Sequence, residues 1–339
     1  MKILCVNYIN FKAGKVHFFS DFDGTYLAVK LGDIKRGENI PQLRSYADCM
    51  DKFFKSTDNH LDFHITTGRK EFGSYKRASE LFKQNDIRLP LPDSFIIANG
   101  YLEYLITNKN HDFYGKGAFP YDETRPIARP HGAEKSKAYN PKSMLESAIK
   151  NDDIIIVAGN HGNDKEMLNP LRYIDFKEYE KKSANKSFYQ KNTEEMLIDL
   201  KAVYDGKNSD YINSLRKEFE SNGLLKRIEE LPIYSVIVTN PSEEIPESMK
   251  LIKDTFESQG KVVEVEKGKL DEALKQIIKN HGNKSKKFKD GMSKKFREFI
   301  FGKAYGLKIG IVSTIIALSG IAGITIYKRN QQPSVEEVV

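Results

Sequence analysis

The 339-residue chain contains no tryptophan and only two cysteines, Cys5 and Cys49. Two cysteines cannot form the disulfide framework that stabilises many small secreted domains, and a chain of this length buries enough apolar surface to fold without one. A reducing compartment is therefore favoured. The first fifteen residues are too short a stretch, and too interrupted by polar side chains, for the apolar region of a secretory signal.

The main part of the chain also lacks an excess of charge of either sign. The net charge is +7, but eleven Lys and Arg against four Asp and Glu lie from Gly282 onward, which leaves 43 of each sign before that point. The basic excess therefore belongs to the C-terminal segment. A nucleic-acid-binding surface on the main domain is not expected, because such surfaces carry a local basic excess.

Charged residues are absent from "IGIVSTIIALSGIAGITIY", residues 309–327. Nineteen uncharged, mostly apolar residues are about enough to cross a bilayer as a helix, so a single transmembrane helix is expected here; a buried core helix is the alternative. Nine Lys and Arg precede this segment and two follow it, which places the main domain on the cytoplasmic side. The basic residues of 282–308 alternate with phenylalanine, so this linker is expected to lie on an anionic membrane surface or to remain a solvated linker.

Short apolar runs alternate with stretches of helical spacing along the first 281 residues. One run, "DIIIVAG", is continuously apolar, as in a parallel strand covered by helices on both faces. This alternation predicts an α/β fold with a doubly wound, Rossmann-like parallel sheet. Asn140 and Pro141 fit the N-cap and first position of a helix. Strands are expected over 16–20, 60–69, 93–98, 101–106, 153–159, 231–240 and 261–267, and helices over 42–56, 75–85, 141–151, 246–260 and 270–280.

Three predicted strands end in polar, reactive residues, in "SDFDGT", "ITTGR" and "GNHGND". Ligands of open parallel sheets bind beyond the carboxyl ends of the strands, so these three stretches are expected to meet at one edge. Asp21 and Asp23 bring two like charges to the same point, which requires a cation or a proton nearby. Each stretch alone would be interpreted as a turn.

Together the motifs resemble those of the haloacid dehalogenase-like (HAD) hydrolase superfamily, in particular its Cof-type and sucrose-phosphate phosphatase-like branch. "DFDGT" matches the first motif, the threonine of "TTGR" the second, a lysine before the fourth strand the third, and "GNHGNDKEML" the fourth. The resemblance covers residues 16 to about 280. It implies a HAD-like core and a Mg²⁺-dependent phosphatase that forms an aspartyl-phosphate.

By this resemblance Asp21 is the nucleophile, and Asp23 protonates the leaving oxygen and then activates water. Gly24 lets the backbone approach the phosphate, and Thr25 adds hydrogen-bond donors. The metal ligands implied are Asp21, Asp23, Asp164 and Asn160, since hard oxygen donors suit Mg²⁺. Asn160 departs from the family pattern, which has aspartate there, so weaker metal binding is expected.

The second and third motifs leave alternatives open. Thr67 is expected to bind a phosphate oxygen, with Thr66 as its rival at the same strand end. Lys142, at the start of a predicted helix, is expected to offset the phosphate charge with help from the helix N-terminus. Lys135 and Lys137 compete for that role. Gly68 and Arg69 complete the expected phosphate-binding residues.

The region that usually forms a cap over the site is short. Residues 101–140 are too few for the large cap of this branch, and the polar, helical insertion 172–231 is the other candidate cover. An open site accepts a small sugar phosphate, the first expectation by analogy, or a larger or membrane-proximal phosphorylated substrate. A catalytically silent phosphate-binding domain and a phosphotransferase remain alternatives. The expected divisions are core 1–171 and 232–281, insertion 172–231, linker 282–308, transmembrane helix 309–327 and tail 328–339.

Overall fold

The computed structural model describes residues 14–57, 60–69, 73–106, 127–128, 137–174, 213, 217, 219–221 and 223–282. These belong to one compact unit, Met1–Gly282. The predicted transmembrane helix, the basic linker, and most of both predicted insertions lie outside the described residues. Within the described residues, no helix is both long and apolar enough to cross a membrane.

Eight strands form a single sheet with helices packed on both faces. The strands are β1 (Val16–Ser20), β2 (Leu61–Thr66), β3 (Ser94–Ile97), β4 (Leu102–Leu105), β5 (Ile127–Ala128), β6 (Ile154–Gly159), β7 (Ile233–Thr239) and β8 (Val262–Glu266). The α-helices described are α1 (Leu31–Lys35), α2 (Ile40–Ser56), α3 (Gly73–Gln84), α4 (Tyr139–Asn151), α5 (Lys165–Leu168), α6 (Leu224–Glu230), α7 (Glu247–Phe256) and α8 (270–282).

The strand order is β5-β4-β3-β2-β1-β6-β7-β8. Strands β1, β2, β3, β6, β7 and β8 are parallel, and β4 and β5 continue the sheet in antiparallel pairing beyond β3. The chain runs outward from β1 through β2 and β3, then returns to the other side of β1 as β6. The order therefore reverses between β1 and β6, and a ligand site is expected beyond the carboxyl ends of these two strands.

Apolar side chains of the central strands alternate between the two faces of the sheet. Phe18 and Ile156 belong to the core under α2, α3 and α8, whereas Phe19 and Val157 belong to the core under α4, α6 and α7. All five residues of β1 and all six of β6 are buried. Burial on both faces explains why these strands are continuously apolar in sequence.

The α/β prediction with a mostly parallel sheet is confirmed by the structure. One local prediction is wrong: α4 begins at Tyr139 with Ala138 as its N-cap, so Asn140 lies inside the first turn instead of capping it. Pro141 is still tolerated there, because backbone N–H groups of a first turn have no partner within the helix. The part of 101–140 that is described includes β4 and β5, both of which extend the main sheet.

Candidate functional site

The chain leaves β1 in a wide turn, Phe22–Tyr26, that begins directly after Asp21. The N–H of Asp21 donates to the carbonyl of Ala158 over 2.8 Å, which fixes the residue between the ends of β1 and β6. Gly24 has a φ of 76°, and a Cβ there would lie 2.4 Å from Nδ2 of Asn160. The turn therefore requires glycine both for its backbone conformation and for close approach to β6.

Lys137 connects the carboxylates of Asp21 and Asp164. Its Nζ donates to Oδ1 of Asp21 over 2.7 Å and also to Oδ1 of Asp164. The three residues are 2 %, 7 % and 0 % exposed, in the order Lys137, Asp21 and Asp164. The first motif predicted a cation near its two acids, and the buried ammonium of Lys137 is such a cation for Asp21.

The electrostatics of this cluster favour a proton or a cation at Asp21. Burial and, after it, the charge of Asp164 raise the pKa of Asp21, Lys137 opposes both, and the net result is a pKa of about 7. Burial alone would lower the pKa of Lys137, but the two carboxylates outweigh it and the pKa lies above its ordinary value. Asp21 is therefore a carboxylate whose charge depends on the cations that surround it.

The structure places Lys137, and not Lys142, against the acids. Lys142 is exposed on the first turn of α4, whereas Lys137 precedes the helix and points into the site. Lys137, one of the two rivals to Lys142 for the role of offsetting the phosphate charge, is therefore the lysine that lies beside the expected nucleophile. Lys135, the third candidate, lies outside the described residues. The predicted start of α4 alone could not identify this lysine, because Lys137 lies before the first residue of the helix.

Asp164 is held by the backbone that follows β6. Its Oδ2 accepts hydrogen bonds from the N–H groups of Asn160 and His161, each over 3.0 Å. A Cβ on Gly159 would lie 2.5 Å from Cβ of Asp164, so only glycine leaves room for this packing. With Lys137 on Oδ1, both oxygens of the Asp164 carboxylate have partners.

Asp23 and Arg69 form an ion pair at the mouth of the site. Nε of Arg69 donates to Oδ2 of Asp23 over 2.7 Å, and the hydrogen bond and charge of Asp23 raise the pKa of Arg69 above its ordinary value. Oδ1 of Asp23 is buried and has no hydrogen-bond partner among the described residues. One oxygen of this carboxylate therefore has unused hydrogen-bonding capacity, although solvent does not reach it in this structure.

The threonines expected at the site take different positions. Thr67 lines the cleft, and its Oγ1 accepts from the N–H of Arg69 over 3.3 Å. Thr66 is fully buried in β2 and Thr67 is only 3 % exposed, but Thr67 and not Thr66 lines the cleft. Thr25 is also fully buried, and its hydroxyl donates to Oδ1 of Asn160 over 3.0 Å. Thr25 thus orients Asn160 and does not face the cleft.

A cleft of about 770 Å³ lies at the carboxyl edge of the sheet, above the residues just described. Of the residues that the sequence singled out, Asp21, Asp23, Thr67, Gly68, Arg69 and Asn160 line it. The sequence interpretation missed Lys30, Asn99, Asn163, Glu243 and Glu244, which line it as well. Asn99 and Glu243 follow β3 and β7, so the strand-end rule could have found both.

The donor set fits Mg²⁺ through fewer carboxylates than expected. Among the described residues, no group of three acidic, histidine or cysteine side chains is arranged to hold a metal, and Asp164 binds Lys137 and backbone amides instead. Mg²⁺ is nevertheless commonly held by one or two carboxylates together with water and substrate phosphate. The carboxylate of Asp21, the unpartnered Oδ1 of Asp23 and the amide oxygen of Asn160 are hard donors of the right chemistry.

Comparisons of the chain with protein-family models, with curated proteins and with solved structures find no match. The assignment of function therefore depends on the geometry and chemistry of the site itself.

Proposed function

We propose that this chain is a Mg²⁺-dependent phosphatase that hydrolyses a phosphomonoester through an aspartyl-phosphate on Asp21. The observation that supports it best is the pairing of buried Asp21 with Lys137 beneath an open cleft at the point where the strand order reverses. The buried carboxylate of Asp21 can attack phosphorus, and the fixed ammonium of Lys137 beside it can offset the negative charge of the phosphoryl group. The HAD-like motifs of the sequence support the same reaction.

In the first step, a carboxylate oxygen of Asp21 forms a bond to phosphorus while the bond between phosphorus and the ester oxygen breaks. Asp23, two residues away in the same turn, gives its proton to the departing oxygen, which leaves as an alcohol. Lys137 and the hydroxyl of Thr67 stabilise the charge on the phosphoryl oxygens. Asp23 leaves its ion pair with Arg69 when it delivers this proton to the departing oxygen.

In the second step, Asp23 removes a proton from a water molecule that attacks phosphorus. The bond between phosphorus and the oxygen of Asp21 breaks, and inorganic phosphate leaves. Asp23 thus regains the proton that it gave up, and the carboxylate of Asp21 is restored. The open cleft gives water access to the intermediate, so hydrolysis is favoured over transfer to another acceptor.

Mg²⁺ would be held by Asp21, Asp23 and Asn160, and it supplies positive charge that offsets the oxygens of the transferring phosphoryl group. In this arrangement Asp164 acts through Lys137, whose ammonium it holds against Asp21. Asn160 contributes an oxygen without a charge, so Mg²⁺ binding is expected to be weak until the substrate phosphate adds its own oxygens.

The proposal is tested by hydrolysis of p-nitrophenyl phosphate, measured with Mg²⁺ and with EDTA. Turnover that requires Mg²⁺ and is lost in Asp21→Asn supports it. Asp33→Asn, an aspartate outside the cleft lining that pairs with Arg36 at the surface, serves as the matched control and retains activity. Equal turnover in wild type and in Asp21→Asn would contradict the proposal.

The second candidate function is a silent domain that binds phosphorylated ligands. The uncharged Asn160 favours it, as does the engagement of Asp164 by Lys137 and two backbone amides, because both lower the charge offered to a metal. Such a domain binds inorganic phosphate in the absence of Mg²⁺ and hydrolyses nothing. Calorimetry with phosphate, beside the hydrolysis assay, separates the two functions.

The same proposal includes attachment to a membrane through residues 309–327, with the catalytic domain on the cytoplasmic side. It is supported by the uncharged length of this segment and by the basic residues that precede it. Carbonate extraction of membranes that contain the full-length chain, or a version ending at Gly282, tests it. The full-length chain should stay with the membrane and the shortened one should wash off; release of both would contradict the attachment.

A further inference from the structure

The turn between β3 and β4 has an unusual backbone. Ala98, Asn99 and Gly100 have consecutive positive φ angles of 51°, 54° and 90°. Asparagine and glycine adopt this conformation readily, but alanine rarely does. The N–H of Ala98 donates to the carbonyl of Arg69 over 2.8 Å, and the N–H of Asn99 donates to that of Thr67 over 3.0 Å. The strained turn is thus fixed to the loop that carries Thr67.

This attachment brings the side chain of Asn99 to the wall of the cleft. A Cβ on Gly68 would lie 3.0 Å from Oδ1 of Asn99 and 3.6 Å from Nδ2 of Asn163. Two amide side chains from two different strand ends therefore lie beside the same glycine. Both line the cleft that contains Asp21, and both residues are exposed.

Two cations that line the cleft already form ion pairs with carboxylates of the same cleft. Arg69 pairs with Asp23 over 2.7 Å, and Nζ of Lys30 lies 3.8 Å from Oε1 of Glu243. Glu244 adds a further carboxylate to the same wall. The described lining of the cleft carries four carboxylates, of Asp21, Asp23, Glu243 and Glu244, against the two cations of Lys30 and Arg69. A second negative charge on a bound ligand would therefore meet a net negative lining, whereas the amides of Asn99 and Asn163 carry no charge.

We propose that Asn99 is a specificity-determining residue whose amide binds a hydroxyl group of the leaving group, and that the cleft rejects leaving groups with a second negative charge. A hydroxyl both donates and accepts a hydrogen bond, and an amide offers both partners. The inference rests on the proposed function, because it takes the leaving group of a phosphate at Asp21 to extend along the cleft that Asn99 also lines. The choice among substrates would then depend on a residue in the turn between β3 and β4 of the sheet.

Three phosphate esters with the same three-carbon chain test the inference: n-propyl phosphate, glycerol 3-phosphate and 3-phosphoglycerate. Each competes against hydrolysis of p-nitrophenyl phosphate by the full-length chain, and each is titrated calorimetrically into the Asp21→Asn variant. Glycerol 3-phosphate is expected to bind about fivefold to tenfold more tightly than n-propyl phosphate, as for one or two added hydrogen bonds. It is also expected to bind more tightly than 3-phosphoglycerate, which carries a carboxylate.

Asn99→Gly removes the amide and still allows the positive φ, so the turn is retained. In this variant the preference for glycerol 3-phosphate over n-propyl phosphate should disappear. Asn39→Gly is the matched control, because Asn39 is also an exposed asparagine with a positive φ, 58°, and lies outside the cleft lining. It should keep the preference.

Equal binding of the three esters by the wild-type chain, or an unchanged preference in Asn99→Gly, would overturn the inference and leave the phosphatase proposal standing. The reverse is also distinguishable. Selective binding of glycerol 3-phosphate that depends on Asn99, without any hydrolysis of p-nitrophenyl phosphate, would support the inference and overturn the hydrolytic function. Absence of binding by all three esters would overturn the inference, whereas the proposed function would still be decided by hydrolysis of p-nitrophenyl phosphate.

Discussion

Nζ of Lys137 donates a hydrogen bond of 2.7 Å to Oδ1 of Asp21, across 116 residues of sequence and inside a buried cluster. The same ammonium is held by Asp164. Two carboxylates that would otherwise repel each other are thereby kept together at the carboxyl edge of the sheet. The nucleophile proposed here is positioned by a lysine from another part of the chain.

Replacing Lys137 by methionine should damage both stability and catalysis. Removing one partner of a buried ion pair costs about 3–5 kcal/mol, because the remaining charges lose their compensation. The pKa of Asp21 should rise further without the ammonium, and turnover of p-nitrophenyl phosphate should fall by about 100-fold or more. Urea unfolding and steady-state rates measure the two effects.

Lys142→Met is the matched control for that variant. Lys142 is exposed on α4, so the free energy of unfolding should change by no more than about 0.5 kcal/mol and the rate should be retained. Loss of turnover in Lys142→Met with retention in Lys137→Met would reverse the roles assigned to the two lysines.

Gly159→Ala should displace Asp164. The added Cβ would lie 2.5 Å from Cβ of Asp164, closer than real Cβ contacts allow, so the free energy of unfolding should fall by about 1–3 kcal/mol and turnover should decrease. Gly162→Ala is the control, since the nearest atom to its Cβ would be Oγ of Ser248 at 3.9 Å. Thermal unfolding and rates of both variants provide the comparison, and equal behaviour of the two would show that Gly159 is not needed to place Asp164.

Asn160→Asp should increase the affinity of the site for Mg²⁺. The aspartate can still accept the hydrogen bond from Thr25, and it adds a negative charge to the donor set. The Mg²⁺ concentration for half-maximal turnover should fall by about tenfold. Asn39→Asp makes the same charge change outside the cleft lining and should leave that concentration unaltered. A Mg²⁺ requirement that is unchanged in Asn160→Asp would place the metal elsewhere.

His17, near the amino-terminal end of β1 and therefore opposite the cleft, should make the free energy of unfolding depend on pH. In β1, Nδ1 of His17 lies 3.2 Å from Oδ2 of Asp62, and Nε2 lies 3.3 Å from Oδ2 of Asp153. Burial lowers the pKa of His17, but the contacts with Asp62 and Asp153 outweigh it and the net pKa is raised. The contact with His17 is in turn the main reason that the pKa of Asp62 falls to about 2.

Because the pKa of His17 is raised on folding, its protonation stabilises the fold below its ordinary pKa, and this contribution is lost as the pH rises through the folded pKa. As the pH rises above 6.5, the free energy of unfolding should therefore decline more steeply in the wild type than in His17→Gln. Chemical denaturation at several pH values checks this. Parallel pH profiles in the two proteins would show that His17 does not titrate as described.

The sequence pattern was sufficient to predict the sheet and the ends of its central strands. The continuous apolar runs around Phe18 and Ile156 require cover on both faces, and the strand-end rule predicts that Asp21, Thr67 and Asn160 lie at one edge of the sheet. These predictions depend on local composition and on the general geometry of parallel sheets. They needed no knowledge of individual side-chain contacts.

The identity of the buried lysine could not be predicted in the same way. Lys135, Lys137 and Lys142 lie within eight residues of one another, and helix-start signals favoured the last. Which ammonium enters a buried site depends on the path of the chain before α4, which carries no apolar period. The predicted strands 93–98 and 101–106 imply a turn at Asn99, but its approach to Gly68 depends on backbone hydrogen bonds between the turn after β3 and the loop after β2.

The central claim is that phosphate becomes bonded to the carboxylate of Asp21 during turnover. Quenching the full-length chain with acid during hydrolysis of p-nitrophenyl phosphate, followed by reduction with tritiated borohydride, labels an acyl phosphate at its carbon. Peptide mapping should find the label in the peptide that contains residue 21, and Asp21→Asn should remain unlabelled. Sustained hydrolysis with no label on that peptide, or with the label on another carboxylate, would contradict the account.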